Sequence, residues 1–251
     1  MTRELVLTAD DFGLDAGVNA AVAELAHLGA LTATSLLTTR PDAEAALALE
    51  VPIAVGLHVE LDPALLAHAG PEEIEGWIEE QLAWLTARGP APTHLDLHTS
   101  ALYGLGPEAS AGAPTGVVPQ AITVAARHGL SLRLPRYLPP LDAPAGFRGH
   151  HADAVARADA AGVRIPEVML GDPRPPDTIR DRADLLGMYV GLLPAVPDGV
   201  SEMFLHPAVP GVGGTDEPAA MRRKRTWEYE LLRSGDLRAA IEDHGIALTH
   251  W

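Results

Sequence analysis

Short apolar runs alternate with longer stretches of helical spacing along the whole chain. Leu5 to Thr8 is a compact apolar run that predicts a buried strand. Over residues 15–29, Val18, Val22, Leu25 and Leu28 fall on one helical stripe, and Gly29 is a fitting stop. The alternation continues with strands over 31–38, 53–59, 93–98, 130–134 and 200–205, a weaker one over 162–165 and a last one over 246–249. Helices are expected over 42–49, 71–88, 117–128, 151–161, 178–193, 217–234 and 236–244. The Pro- and Gly-rich segments 135–149 and 166–177 read as loops, the second as a long surface loop. Roughly seven βα units without a linker predict one catalytic domain over residues 1–251, an α/β fold whose parallel strands form a deformed (β/α) barrel. An open doubly wound sheet ranks second, because no glycine-rich dinucleotide loop follows the first strand.

The polar residues fall at particular places on this frame. Asp10 and Asp11 end the first strand, His58 and Glu60 the third, Asp96 and His98 the fourth, Arg133 the fifth, and His206 the strand at 200–205. In a parallel barrel all strand C-termini open on one face, which carries the active site. Each residue alone has a plain explanation: an aspartate capping the next helix, a hydrogen-bonded core histidine, a half-exposed arginine. Their common position at one end of the strands favours a shared role. One carboxylate and two imidazoles make a facial metal set with positions open for water and substrate. A further Asp and a further His supply the base and acid of a hydrolysis. His94, nearest the start of its strand, reads as structural.

Composition narrows the classes. The 251 residues are 47% hydrophobic and 21% charged, an ordinary globular mixture. The net charge of −16 argues against nucleic acid or an anionic membrane as partner. The absence of cysteine removes disulfides, thiolate metal sites and Cys nucleophiles together. Schiff-base chemistry would have to use Lys224, the one lysine, which sits in a basic cluster, Arg222 to Arg225, that reads as a solvated face. His150 and His151 read as surface residues. No apolar run approaches the ~20 residues of a membrane span, and MTRELVLTADDFG lacks the form of a signal peptide, so the expectation is a cytoplasmic protein without membrane insertion.

Several motifs, in order, resemble the YdjC-like carbohydrate deacetylases of the NodB-like superfamily, among them the chitooligosaccharide deacetylases. They are TADDFGL at 8–14, Asn19, LTATSLL at 31–37, VGLHVEL at 55–61, PTHLDLH at 92–98, LRLP at 132–135 and EMFLHPA at 202–208. The C-terminal RTWEYELLRSGDLRAAIEDHGIAL is similar as well. The resemblance implies a NodB-like deformed barrel that hydrolyses the N-acetyl group of an amino sugar or small oligosaccharide. Asp11, His58 and His98 would bind one divalent ion, zinc or magnesium. Asp10 would be the general base activating the metal-bound water, Arg133 would orient Asp10 and maintain its charge, and His206 would be the general acid for the leaving amine. Substrate contacts would fall at Glu167 and Tyr103.

The chain departs from the family pattern at three places. After His98 it reads TSALY where the family usually has further histidines, Pro166-Glu167 stands where Pro-Asp is common, and the segment 62–71 is short. The alternatives are a catalytically inactive sugar-binding or regulatory protein of this fold, and another barrel metalloenzyme such as a sugar isomerase or phosphoesterase. A homodimer is compatible with the fold.

Overall fold

Strand β1 (Arg3–Phe12) is apolar throughout its middle because neighbours flank both edges and side chains pack on both faces. Leu5, Val6, Leu7 and Ala9 have no exposed surface. The computed structural model describes residues 2–105, 116–138, 146–214 and 217–251. Around β1 lie β2 (Ala33–Leu36), β3 (Ala54–Val59), β4 (His94–Leu97), β5 (Ser131–Leu132), β6 (Met169–Leu170) and β7 (Gly199–Leu205). The sheet path is β5-β4-β3-β2-β1-β7-β6, and every adjacent pair is parallel. β2 pairs with β1 only from Thr8 onward, which leaves Glu4 to Val6 to pair with β8 (Ala247–Thr249).

The path curls until its two ends meet without forming a ladder. β5 and β6 are only two residues long, and irregular backbone bonds join the segments beside them: Leu132 N–H to Arg164 O, Arg136 N–H to Pro166 O and Tyr137 N–H to Glu167 O. This gap is what deforms the barrel. The expected strand over 162–165 does not form. Its place in the sheet is taken by Met169–Leu170, inside the segment expected to be a loop, where both residues pair with Glu202 and Met203 of β7. The proline spacing hid a two-residue strand whose Leu170 is buried.

Helices return the chain between strands. α1 (Ala16–His27) begins at Asp15, whose side chain accepts from Gly17 N–H and Val18 N–H, so the capping aspartate is neither Asp10 nor Asp11. α2 (Ala43–Leu47), α3 (Pro63–Leu66) and α4 (Pro71–Arg88) follow. α5 (Val118–His128) ends at Gly129 in the left-handed region (φ 66°). α6 (Phe147–Ala160) starts four residues earlier than its apolar pattern suggests, and it faces the β5–β6 gap. α7 (Arg182–Leu192), α8 (Ala219–Ser234) and α9 (Asp236–Asp243) complete the outer layer. One hydrophobic cluster runs from Leu5 to Ile246 between sheet and helices. Among the described residues no helix is long and apolar enough to cross a membrane.

Candidate active site

The two adjacent aspartates reach the site together because β1 is irregular there. Ala9 pairs with Thr34 and Phe12 with Leu36, so Asp10 and Asp11 stand opposite the single Ser35. Asp11 adopts the left-handed region (φ 68°), a strained conformation for a non-glycine residue of the kind that clusters at functional sites. The bulge breaks the alternation that would otherwise send neighbouring side chains to opposite faces. Both are buried, 2% exposed each.

Asp11, His58 and His98 converge. His58 Nε2 lies 3.4 Å and His98 Nε2 3.6 Å from Asp11 Oδ1, too far for good hydrogen bonds. Asp11 Oδ1 and His58 Nε2 are buried without any hydrogen-bond partner, a costly arrangement unless something sits between them. Each imidazole turns its other nitrogen to a carboxylate. His58 Nδ1 is 2.5 Å from Asp96 Oδ1, and His98 Nδ1 is 3.1 Å from Glu60 Oε1. That is the outer shell that metal-ligating histidines require. Glu60 is also bonded by Thr39 and Arg40. Burial pushes Glu60 up, but the bonds from His98, Thr39 and Arg40 outweigh it and hold the carboxyl at about 2.

Nearby charges act on this set, and a cation taking His58 Nε2 would displace the proton that its raised pKa favours. Burial raises the Asp11 carboxyl, yet the Arg225 guanidinium, 2.6 Å from Oδ2, holds it well below the carboxylate range. Arg225 thereby occupies one Asp11 oxygen and leaves the other facing the two imidazoles. Burial alone would lower His58, but Asp96 and Asp11 outweigh it and lift the imidazole to about 10. Asp10, His58 and Asp96 also lie close enough to share an ion. There, however, Arg133 holds both Asp10 oxygens and His58 Nδ1 holds an Asp96 oxygen. The set Asp11, His58 and His98 is the one with free ligand atoms, and it fits a divalent cation bound by oxygen and imidazole.

Arg133, immediately after β5, is the hub beside it. Its two terminal nitrogens bind Asp10 Oδ2 and Oδ1 at 2.7 Å each, and Nε and Nη2 bind Glu202 at 2.8 Å. Nη2 also lies 2.8 Å from Asp96 Oδ2. Three buried carboxylates thus surround one cation. Burial pushes Glu202 up, with Asp10 and Asp96 adding to it against Arg133. Thr8 Oγ1 donates to Glu202 at 2.7 Å, and Ser35 Oγ donates to Asp10 at 3.2 Å.

His206 follows β7, its Nε2 3.9 Å from Asp10 Oδ2. Its backbone N–H donates to Glu228, a fully buried carboxylate that also accepts from Tyr189 and pairs with Lys224. Burial lowers the His206 imidazole, with Asp11 and Asp10 pulling it back up.

The structure therefore brings together Asp10, Asp11, His58, His98, Arg133 and His206. Tyr103 is beside them: its phenol oxygen accepts from Leu97 N–H at 3.1 Å, and it lines the same cavity as His98. Glu167 is elsewhere. Its N–H bonds to Val200 O near the start of β7, six residues and so about 20 Å along the strand from His206. Its side chain lies against Gly199 at the opposite end of the sheet, because Glu167 precedes β6 instead of following a strand over 162–165.

Two further expectations need correction. The cluster at 222–225 is not a solvated face: Lys224 and Arg225 are 6% and 5% exposed. α8 turns Arg225, Glu228 and Leu232 inward at helical spacing, and acidic partners compensate the buried charges. His150 and His151 line the cavity beside the site rather than the open surface. Sequence reasoning placed Asp96 at a strand end without a specific role and did not single out Glu202, Arg225 or Glu228. The available signal was a charged residue in the middle of a buried strand or on the apolar stripe of a helix. His94, by contrast, lies where a structural residue would: fully buried, stacked on Trp251 at 5.2 Å, its ring against Gly56.

Comparison with known proteins agrees with this architecture. The chain is 24% identical to a carbohydrate deacetylase of Thermoanaerobacter pseudethanolicus over 281 aligned positions, covering 99% of this chain and 98% of that one. It is 32% identical to a carbohydrate deacetylase of Halalkalibacterium halodurans over 124 residues, which span 52% of that protein. A proposed cellobiose-phosphate cleavage protein from Enterococcus faecalis superposes with a TM-score of 0.71 at 22% identity, over 100% of this chain and 98% of that one. The catalytic domain of a peptidoglycan N-acetylglucosamine deacetylase from Eubacterium rectale gives 0.54 at 10% identity, over 100% and 89%. These likenesses show the curled parallel barrel. The sequence pattern of the YdjC-like protein family matches residues 4–243, and the chain belongs to that family.

Proposed function

We propose that the protein is a metal-dependent carbohydrate deacetylase that hydrolyses the acetamide of an N-acetylated amino sugar or short chitooligosaccharide. The observation that carries this reading is that Asp10, gripped through both oxygens by Arg133 and 3.9 Å from His206, stands next to the Asp11/His58/His98 set. The relatives named carbohydrate deacetylases support the substrate class.

Asp11, His58 and His98 would hold the ion, zinc or magnesium, which supplies Lewis acidity to the acetamide carbonyl. Asp10 takes a proton from the attacking water, and Arg133 fixes the direction in which its carboxylate points. His206 hands a proton to the departing sugar nitrogen as the C–N bond breaks, and its backbone bond to Glu228 holds it in place. The products are acetate and a free amino sugar. Tyr103, with its hydroxyl engaged by the backbone, shapes the wall next to His98.

The test is acetate release from N-acetylglucosamine oligomers by zinc- or magnesium-loaded protein. Acetate in step with new free amine, lost on chelation and restored by the ion, is the expected result. No acetate from any oligomer with an ion bound would replace this reading with that of a sugar-binding protein.

A further inference from the structure

A cavity of about 430 Å³ opens directly beside the acid and the base, with Asp10, His98, Arg133 and His206 at one end. The rest of its wall is mainly apolar, with Thr99, Ser100, Tyr103, His150 and His151 as the polar side chains along it. Leu97, Leu134, Met169 and Phe204 come from the ends of the strands, and Val118 and Phe147 from the starts of α5 and α6. The Phe204 ring also packs under the Arg133 guanidinium, 5.2 Å from its centre. The space exists because β5 and β6 do not pair: Leu134 and Met169 stand on either side of that gap, and α6 covers it. Asp153 and Arg157 of α6, both exposed, mark where the cavity reaches solvent.

An acetyl methyl, about the size of a water molecule at ~30 Å³, would fill under a tenth of this volume. A sugar ring placed against the apolar part of this wall would leave hydroxyls without partners. A flexible apolar chain meets neither objection, and the volume falls in the ~300–1,000 Å³ range of sites for larger ligands. We propose that the substrate carries, next to its amide, an apolar chain of several carbons, and that this cavity binds it. The proposal rests on the deacetylase reading for the chemistry of the amide. The chain can belong to the acyl group or to the group glycosidically linked to the sugar, and both place the same chemistry in the same cavity.

The experiment uses the ion-loaded full chain and three comparisons. N-octanoylglucosamine against N-acetylglucosamine reads the acyl side, and the octyl against the methyl glycoside of N-acetylglucosamine reads the glycosidic side, both below micelle formation. Octyl glucoside against methyl glucoside, followed by calorimetry, reads binding without any amide. Each buried methylene is worth about fourfold, so one of the two long substrates should gain on the order of 10- to 100-fold in kcat/KM. Ala154→Trp, which fills the cavity from α6, should bring that long-to-short ratio back towards one. If short substrates turn over and neither long substrate gains, the cavity proposal is overturned while the deacetylase stands. If no substrate releases amine, yet octyl glucoside binds at least tenfold tighter than methyl glucoside and Ala154→Trp removes the difference, the deacetylase reading fails and the apolar-chain site stands.

Discussion

Arg133→Met removes the one cation shared by Asp10, Asp96 and Glu202 while keeping a side chain of similar length. The arginine is 3% exposed, and its contacts with these three carboxylates run from 2.7 to 2.8 Å. Removing one partner of a buried ion pair costs about 3–5 kcal/mol, a large share of a typical ~5–15 kcal/mol total. For a chain of this size, each kcal/mol lowers the melting temperature by about 2–4 °C, so the variant should melt roughly 6–20 °C lower. The loss must also depend on pH. Without Arg133, Glu202, already raised by burial, rises further above its unfolded value, and Asp96, which Arg133 and His58 hold below it, rises as well, so the folded variant binds more protons than the folded unaltered protein does. The penalty is then largest at high pH and relaxes as pH falls. Urea unfolding at pH 7.5 and pH 5, followed by tryptophan fluorescence, should show the deficit shrinking by about 1 kcal/mol or more at the lower pH. A deficit under about 1 kcal/mol, or one equal at both pH values, would refute the hub.

Three other perturbations follow from the same contacts. Arg225→Met frees Asp11 Oδ2 in a buried site, so it should destabilise the chelated protein by about 3 kcal/mol or more and the ion-loaded protein by clearly less, read from melts in the two states. His94 is lowered to about 4, by burial first and by Arg133 and His58 next, against the pull of Asp96 and Asp10. The unfolded chain therefore binds the extra proton, and stability falls as pH drops from about 6.5 to 4, by up to ~3 kcal/mol for this group. His94→Gln should flatten that part of the pH–stability curve, and an unchanged slope would contradict it. A methyl group at Gly56 would meet the His94 ring at 2.3–2.5 Å, so Gly56→Ala should cost about 1–3 kcal/mol in denaturant unfolding.

The elements that position the site were legible where apolar period and strand end coincided. β3, β4 and β7 run within a residue or two of their apolar patterns, and the polar residues at their C-termini are the ones that converge. The parallel barrel orders residues that lie far apart in the chain, which is why position at a strand end carried so much. What stayed hidden depended on contacts across that barrel. Glu202 lies in the middle of β7, and nothing local shows that it faces Arg133, 69 residues away. Arg225 reads as one of four basic residues until α8 is seen to turn it onto Asp11, 214 residues away. The bulge that presents Asp10 and Asp11 together has no pattern of its own, since any two polar residues at a strand end look alike. Glu167 was misplaced for the converse reason: prolines concealed β6, and the assignment of Glu167 to the site depended on where that strand begins.

The account turns on two neighbouring carboxylates doing different work, and Asp10→Asn against Asp11→Asn tests this most directly. Ion content and acetate release are measured on both variants and on the unaltered protein. Asp10→Asn should keep one equivalent of the divalent ion and lose about 10²- to 10⁴-fold in rate, the usual worth of a general base. Asp11→Asn should lose the ion itself. A near-normal rate for Asp10→Asn, or full ion binding by Asp11→Asn, would contradict the division of roles.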